Sequence, residues 1–227
     1  MEISDGDIIL IADKVIAMSE GRLERYDRLE VSKRAKELAK KYGLEGGFVE
    51  LVLREAEEIL GGIEGTLLTI SRGILIANSG VDRKNVPQGY ASLWPRDPYA
   101  KARELRERIE ERTGKKVGLI LVDSRVLPLR RGTVGVAIGF SGIEPVEDVR
   151  GKPDIYGKPL KITFVNKVDD LASIAHLLMG ETDELVPFVI VRNAPVKLSE
   201  ELKLDVKMKP EECLYMRELL RKDQDLT

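Results

Sequence analysis

The amino-acid sequence predicts an α/β (α+β) fold in which mixed β-sheets are flanked by helices. Three observations carry this prediction: apolar runs of strand length, amphipathic segments of helical period, and a β-loop-α-β order that implies a partly parallel sheet. The chain has 227 residues, of which 43% are hydrophobic. That content is enough for one large domain or two small lobes with a buried core.

Short apolar runs bounded by turn residues predict the strands. The first run begins at Ile8 after the turn residues 5–7, and two later runs flank the tight turn at Arg72-Gly73. The run from Val117 leads straight into Asp123, which puts this carboxylate at a strand's C-terminal end, where α/β sheets form ligand crevices. The predicted strands are Ile8–Ala12, Thr66–Ile70, Ile74–Ala77, Val117–Val122, a glycine-interleaved stretch 131–142, Leu160–Val165 and Phe188–Val191.

Amphipathic segments predict the helices. In the most charged one, Asp97 suits the N-cap and Pro98 the first helical position, and glycines end several of the others. The predicted helices run from about Leu29 to Tyr42, Phe48 to Leu60, Pro98 to Arg112, Asp169 to Met179 and Pro210 to Arg221. We expect residues 1–195 to form the main unit, in one or two lobes, and residues 196–227 a polar C-terminal segment with a helix.

Composition limits the chemistry that the chain can perform. Its 37 basic residues nearly balance 39 acidic ones, which argues against a nucleic-acid-coating protein. Cys213 is the only cysteine and His176 the only histidine, so cysteine clusters, Ser-His-Asp catalysis and multi-histidine zinc sites are disfavoured. Any metal would therefore be held mainly by oxygen ligands, which favour Mg²⁺, Mn²⁺ or Ca²⁺. Without a signal peptide or membrane span, a cytoplasmic protein is expected, and its Lys/Glu-rich surface is typical of a thermophile.

Three acidic residues that directly follow apolar elements are candidate metal ligands. Asp82 and Asp123 follow predicted strands, and Glu181 follows the helix that ends at Met179. Carboxylates at the ends of core elements are held rigidly, as the strict geometry of a Mg²⁺ site requires. Each of them alone is also compatible with an ordinary cap or turn. Nearby oxygen donors are Asn85, Ser124 and Thr182.

Other polar, aromatic and glycine residues have two interpretations each. The arginines after Asp123 suit a phosphorylated substrate or are simply solvated. His176 lies on the apolar face of its predicted helix, where packing is favoured over ligand binding. Trp94 and Tyr90 lie in a loop, where packing is favoured over stacking on a flat ligand. Glycines within 131–142 indicate close approach of the backbone to a ligand or to a neighbouring chain segment.

Several short motifs occur together between about residue 4 and residue 193. They are Asp5-Gly6-Asp7, Ser19-Glu20-Gly21-Arg22, Asn78 to Val86, Asp123-Ser124-Arg125, Arg130-Arg131-Gly132, Ala137-Ile138-Gly139, Arg150 to Gly157 and Leu178 to Glu181. In type, order and spacing this set resembles the coenzyme F420:L-glutamate ligase family.

The resemblance implies an intertwined homodimer of two-lobed α/β subunits. It implies a ligase that attaches γ-linked L-glutamate to the phospholactyl side chain of a deazaflavin coenzyme precursor and uses GTP. It also implies two Mg²⁺ or Mn²⁺ ions per site, with K⁺ as a further candidate ion. An acyl phosphate would form first, and the amine of the amino acid would then displace phosphate. Metals and arginines would neutralise the crowded anionic groups.

The resemblance also implies roles for individual residues. The implied metal ligands are Asp82, Asp123, Ser124 and Glu181. The implied nucleotide contacts are Asn85, Met179, Gly180, Thr182 and Asp183, and we expect Lys14, which departs from the family pattern, to contact phosphates or base as a substitute cation. Arg130 and Arg131 are the implied catalytic residues and would neutralise the substrate's anionic tail.

The sequence departs from the family pattern at several places. We expect it to be a divergent member, because it begins directly at the first strand, without the Leu-Pro-rich segment that precedes it in the family. Met18 stands where a lysine is typical, and Asp13-Lys14 replace a pair of small polar residues. The loop after Asp123 lacks the usual glycine and aromatic residue. The alternatives are a non-ligase relative that binds a nucleotide or deazaflavin-like ligand or acts as a dimer, and a metal-dependent phosphohydrolase.

Overall fold

The computed structural model describes residues 2–218 and confirms the predicted α/β (α+β) class. The strands are β1 (Ile8–Ala12), β2 (Leu23–Arg25), β3 (Glu58–Ile63), β4 (Thr66–Ser71), β5 (Ile74–Ala77), β6 (Tyr90–Ser92), β7 (Gly118–Val126), β8 (Thr133–Ser141), β9 (Val146–Asp148), β10 (Phe164–Asn166) and β11 (Phe188–Val191). The α-helices are α1 (Asp13–Ser19), α2 (Lys33–Tyr42), α3 (Gly46–Glu55), α4 (Pro98–Thr113) and α5 (Lys167–Met179). None of the helices in this range is long and apolar enough to cross a membrane.

A four-stranded sheet in the order β11-β1-β7-β8 carries the largest core. β1 and β7 run parallel, which confirms the predicted partly parallel sheet, and the outer pairs are antiparallel. Along β1, Ile8 and Leu10 face α5, whereas Ile9 and Ile11 face the side covered by α1 and α4. Because both faces of the sheet are buried, the strands read as continuous apolar runs.

A second core lies beside this sheet and is built from α2, α3, the three-stranded sheet β3-β4-β5 and the β2–β6 pair. The apolar stripes of the two helices pack on one another and on β4. Ser32 caps α2, since its hydroxyl accepts the Ala35 N–H at 3.2 Å. The division of the chain into domains stays a prediction.

The glycines of β8 allow two helices to lie directly on the strand. A Cβ atom at Gly135 would lie 2.1 Å from the Ala172 carbonyl oxygen of α5, and one at Gly139 would lie 2.5 Å from the Pro98 backbone of α4. The close approach predicted for this stretch is therefore to neighbouring chain segments.

Several predicted boundaries are wrong. α3 ends at Glu55 and not at Leu60, because the chain turns extended at Ala56 and residues 58–63 pair with β4 as a strand. The strand predicted from Leu160 is confined to Phe164–Asn166. Of the predicted C-terminal helix, a 3₁₀ turn (Pro210–Glu212) and helical residues 214–218 are seen, and residues 219–221 lie outside the described range.

The end of the strand before Asp123 also differs from the prediction. β7 continues to Val126, so Asp123 lies within the strand. The parallel pairing with β1 nevertheless stops at Ala12 and Val122. Asp123 is thus the first residue of β7 beyond the parallel pair, which is the position that matters for a ligand crevice.

Candidate active site

A cavity of about 700 Å³ opens where the parallel pair β1–β7 ends. It is bounded by the start of α1, the loop after β5, the middle of β7 and the segment after α5. The predicted site residues found in its lining are Lys14, Asp82, Asn85, Asp123, Ser124, Met179, Gly180, Glu181, Thr182 and Asp183. The fold therefore brings together residues that are far apart in the sequence.

Asp13 also lines this cavity, although it was not among the predicted ligands. The Ala12–Val122 register places Asp13 beside Asp123, one residue beyond the parallel pair. Burial, followed by the charge of Asp123, raises the pKa of Asp13 well above its usual value. A sequence signal for Asp13 existed, because both parallel strands are apolar runs followed by aspartate.

Asp123 is held by a buried tryptophan. The Trp94 indole Nε1–H donates to Asp123 Oδ2 at 2.6 Å, and the Ser124 backbone N–H donates to Oδ1 at 2.6 Å. Burial, despite these hydrogen bonds and together with the charge of Asp82, raises the pKa of Asp123 to about 6. Trp94 is 1% exposed, so the packing interpretation is confirmed for this residue.

The position of Trp94 depends on a glycine in the loop after β5. Gly80 has φ +72°, and a Cβ atom there would lie 2.3 Å from the indole ring. Only glycine suits both this backbone conformation and this contact. Gly80 therefore supports Asp123 through Trp94.

Asp82 is paired with a lysine. Its backbone bridges to Ser92, and its Oδ2 lies 2.5 Å from Lys14 Nζ. Lys14 Nζ also donates to the Lys84 carbonyl oxygen at 2.7 Å, and the Lys84 backbone N–H donates to Asp82 Oδ1 at 2.9 Å. Asp82 and Lys14 thus form a fixed ion pair on the cavity wall.

Glu181 follows α5 and is surrounded by donors. It accepts hydrogen bonds from Lys84 Nζ and, at 2.7 Å, from Thr133 Oγ1, and His176 Nε2 also lies 2.7 Å away. Partial burial would raise its pKa, but these partners hold the pKa of Glu181 at about 2. The packing interpretation of His176 is wrong, because its ring lies at the cavity.

The outer wall of the cavity is formed by two exposed loops. Asn85 Nδ2 donates to the Thr182 carbonyl oxygen at 2.7 Å and so joins the loops. The Thr182 backbone N–H in turn donates to Glu184 at 2.8 Å. Residues 179–183 thus line the cavity in a loop that the Asn85–Thr182 hydrogen bond ties to the loop after β5.

Two predicted residues lie outside this cavity. Arg130 and Arg131 are exposed on the hairpin between β7 and β8 and are absent from the lining of the cavity described here. Their role as neutralising residues stays a prediction. Tyr90 also lies away from the cavity, on β6, where Arg25 stacks 5.6 Å from its ring centre.

The donor set fits a hard cation. Carboxylate and hydroxyl oxygens are the ligands that Mg²⁺ and Mn²⁺ prefer. Within residues 2–218, no three His, Cys, Asp or Glu side chains are close enough to hold one ion by themselves. One or two carboxylates completed by substrate phosphates is the usual arrangement for Mg²⁺, and this cavity offers such carboxylates.

Sequence comparison relates the chain to known ligases. The pattern that defines the F420-0:Gamma-glutamyl ligase family matches residues 1–193. The coenzyme F420:L-glutamate ligase of Methanopyrus kandleri is 44% identical over 198 residues, covering 87% of this chain and 79% of that protein. The Methanocaldococcus jannaschii protein of the same name is 45% identical over 195 residues, covering 86% and 78%. The one from Methanococcus maripaludis strain C6 is 41% identical over 214 residues, covering 94% and 86%.

Proposed function

Because the chain belongs to the F420-0:gamma-glutamyl ligase family, we propose that it is a cytoplasmic acid–amino-acid ligase that attaches γ-linked L-glutamate to a phosphorylated deazaflavin coenzyme precursor. The observation that carries the proposal is that carboxylates from separate parts of the chain line the same cavity. They include Asp13, Asp82, Asp123 and Glu181, and Asp183 and Glu184 lie in the lining beside Glu181. Such a cluster of rigid carboxylates suits cation-assisted transfer of a phosphoryl group.

The proposed reaction has two steps. The acceptor carboxylate attacks the γ-phosphorus of GTP, which forms an acyl phosphate and releases GDP. The glutamate amine then attacks the acyl carbon, phosphate leaves, and the amine nitrogen loses a proton. Divalent metal would neutralise the phosphate charge in this site. Asp82, Asp123 and Glu181, with Ser124, would hold it.

The nucleotide would lie along the outer wall of the cavity. Asn85 and the Met179–Asp183 stretch present amide, backbone and hydroxyl groups there. These groups can hydrogen-bond a base and a ribose, whereas Asp13 and Asp123, at the end of the β1–β7 pair, suit a cation that binds phosphate. We infer that the phosphates face Asp123.

A homodimer is part of the proposal. Several large apolar side chains are more than 80% exposed in the single chain, which is costly for a surface that stays in water. They are Leu129, Ile155, Tyr156, Ile162, Leu177 and Leu185. Since Arg130 and Arg131 follow Leu129, a dimer contact through this hairpin would place them at the interface. Light scattering should give twice the monomer mass, and Leu177→Glu should reduce it.

The second candidate is a non-ligase relative that binds a nucleotide or a deazaflavin-like ligand. It is favoured by Met18, which lines the cavity with a half-exposed apolar side chain. An apolar contact suits a flat aromatic ligand at least as well as a phosphate. Bound ligand without product would support this candidate.

The decisive experiment is a product assay by mass spectrometry. The protein is incubated with GTP or ATP, Mn²⁺, L-glutamate and the deazaflavin precursor, and we expect the mass of one glutamyl residue to be added with release of GDP and phosphate. Asp123→Asn should lower the rate at least 100-fold, whereas Asp170→Asn, an exposed aspartate on α5, should not. Nucleotide binding without product would favour the second candidate, and equal rates in both variants would contradict the assignment of Asp123.

A further inference from the structure

Lys14 is held more firmly than a typical surface lysine. Its ammonium group lies 2.5 Å from Asp82 Oδ2 and 2.7 Å from the Lys84 carbonyl oxygen. The side chain is 21% exposed, so water competes little for this pair. A charge-assisted hydrogen bond with two acceptors in a partly buried place is among the stronger polar contacts in proteins.

Lys84 also pairs with a carboxylate of the cavity, but it is more exposed than Lys14. Its side chain is 53% exposed, and its partner Glu181 keeps His176 and Thr133 as further contacts. An exposed ion pair of this kind contributes about 0 to 1 kcal/mol and is readily exchanged. Lys84 can therefore leave Glu181 when a cation arrives, whereas Lys14 has no comparable freedom at Asp82.

Asp13 and Asp123 lie side by side at the end of the parallel pair β1–β7, and the nearby Lys14 is paired with Asp82. Among residues 2–218, neither forms an ion pair with a lysine, arginine or histidine side chain. Their neighbouring positions at the end of the parallel pair β1–β7 face the cavity. Two adjacent carboxylates that form no direct ion pair repel each other, and a divalent cation between them relieves that repulsion.

On the basis of the proposed function, we propose that the Lys14 ammonium group occupies one cation position of this site. The chain then binds one divalent ion per nucleotide, at Asp13 and Asp123, where the family resemblance implies two. Lys14 is in this view a built-in cation, and Asp13 replaces Asp82 in the ligand set given under the proposed function, because Asp82 stays paired with the lysine.

The test counts bound ions. Mn²⁺ is titrated into the full-length protein with a non-hydrolysable GTP analogue, and free Mn²⁺ is measured by electron paramagnetic resonance. We expect one tightly bound ion per chain in the wild type and in Lys14→Arg, which keeps the charge. Lys14→Met, which removes the charge at similar length, should bind two. Lys36→Met, on the exposed face of α2, is the matched control and should bind one.

Each other outcome is informative. Two ions in the wild type would show that Lys14 yields to metal, which overturns this inference and leaves the proposed ligase intact. One ion in a folded Lys14→Met variant, checked by circular dichroism, also overturns it. If no variant binds Mn²⁺ or the nucleotide analogue, the proposed function fails together with the inference.

Discussion

The cavity has an inner wall, with Asp13 and Asp123 at the end of the β1–β7 pair, and an outer wall formed by the loops around Asn85 and residues 179–183. The two walls hold carboxylates in opposite electrostatic environments. On the inner wall, Asp123 lies in a strand that is buried on both faces, and its pKa is raised to about 6. On the outer wall, Glu181 lies after α5 beside Lys84, His176 and Thr133, and its pKa is lowered to about 2. Around Asp123 the sheet removes water and the nearby Lys14 is paired with Asp82, whereas the loops around Glu181 supply a lysine, a histidine and a hydroxyl. The inner wall is therefore built to receive a cation, and the outer wall is already neutralised.

We expect the largest loss of stability from Gly80→Ala, which disturbs the support of the inner wall. The new Cβ atom would lie 2.3 Å from the Trp94 ring, at a φ of +72°. Overpacking and backbone strain together should destabilise the protein by about 3 to 5 kcal/mol in urea unfolding. Gly65→Ala is the control, since it has φ +80° but no atom within 4 Å, and it should cost only about 1 kcal/mol. Equal losses would mean that the contact with Trp94 is unimportant.

The pH dependence of stability should also separate the walls. The folded-state pKa of Asp123, about 6, lies above its unfolded value, so the folded protein binds the proton more tightly. Stability of the metal-free protein should therefore fall as pH rises from about 4 to 6, by about 2 to 3 kcal/mol from this group. Glu181 has the opposite sign, because its lowered pKa stabilises the fold above pH 4 and this contribution is lost toward pH 2.

Urea unfolding in the presence of a chelator, between pH 4 and pH 7, checks this contrast. Asp123→Asn should remove much of the decrease and be more stable than the wild type at pH 7. An unchanged slope in this variant would place the titrating group elsewhere.

A smaller loss is expected when Trp94 is replaced by phenylalanine. This change removes the Nε1–H that donates to Asp123 at 2.6 Å but keeps an aromatic ring in the core. A hydrogen bond to a buried charged group contributes about 2 kcal/mol. The loss should shrink in an Asp123→Asn background, which a double-mutant cycle measures. Full additivity would show that the hydrogen bond does not support the carboxylate.

Three of the acidic residues behind this contrast could be predicted from the sequence, whereas Asp13 and the ion pair of Lys14 could not, for physical reasons. An apolar element followed by an acid located Asp82, Asp123 and Glu181, and the signal is clearest for Asp123 because its strand is buried on both faces. Asp13 was missed although it has the same pattern, since only the register of β1 against β7 shows that it neighbours Asp123. Lys14 was proposed to contact nucleotide, but its ion pair with Asp82 spans 68 positions and is invisible in a linear pattern.

The extent of helices was also harder to predict than their existence. The apolar period of α3 continues past Glu55, yet pairing of residues 58–63 with β4 overrides it. His176 appeared to be a packing residue because its helix is apolar around it. Its contact with Glu181 depends on the turn at Gly180, where φ is +74°. Although the two residues are only five positions apart, the apolar helical pattern does not show how the chain turns after α5.

The smallest effect is expected on the outer wall, from Lys84→Ala. The Lys84 side chain, which pairs with Glu181, is 53% exposed, so the loss of stability should stay below about 1 kcal/mol. The pKa of Glu181 should rise but remain below its usual value, because Thr133 and His176 still contact it. Urea unfolding and an NMR titration of the Glu181 carboxyl would measure both. A loss above 2 kcal/mol would mean that the Lys84–Glu181 ion pair is much stronger than an exposed pair. The outer wall could then not exchange Lys84 for another cation, and the contrast with the inner wall would no longer hold.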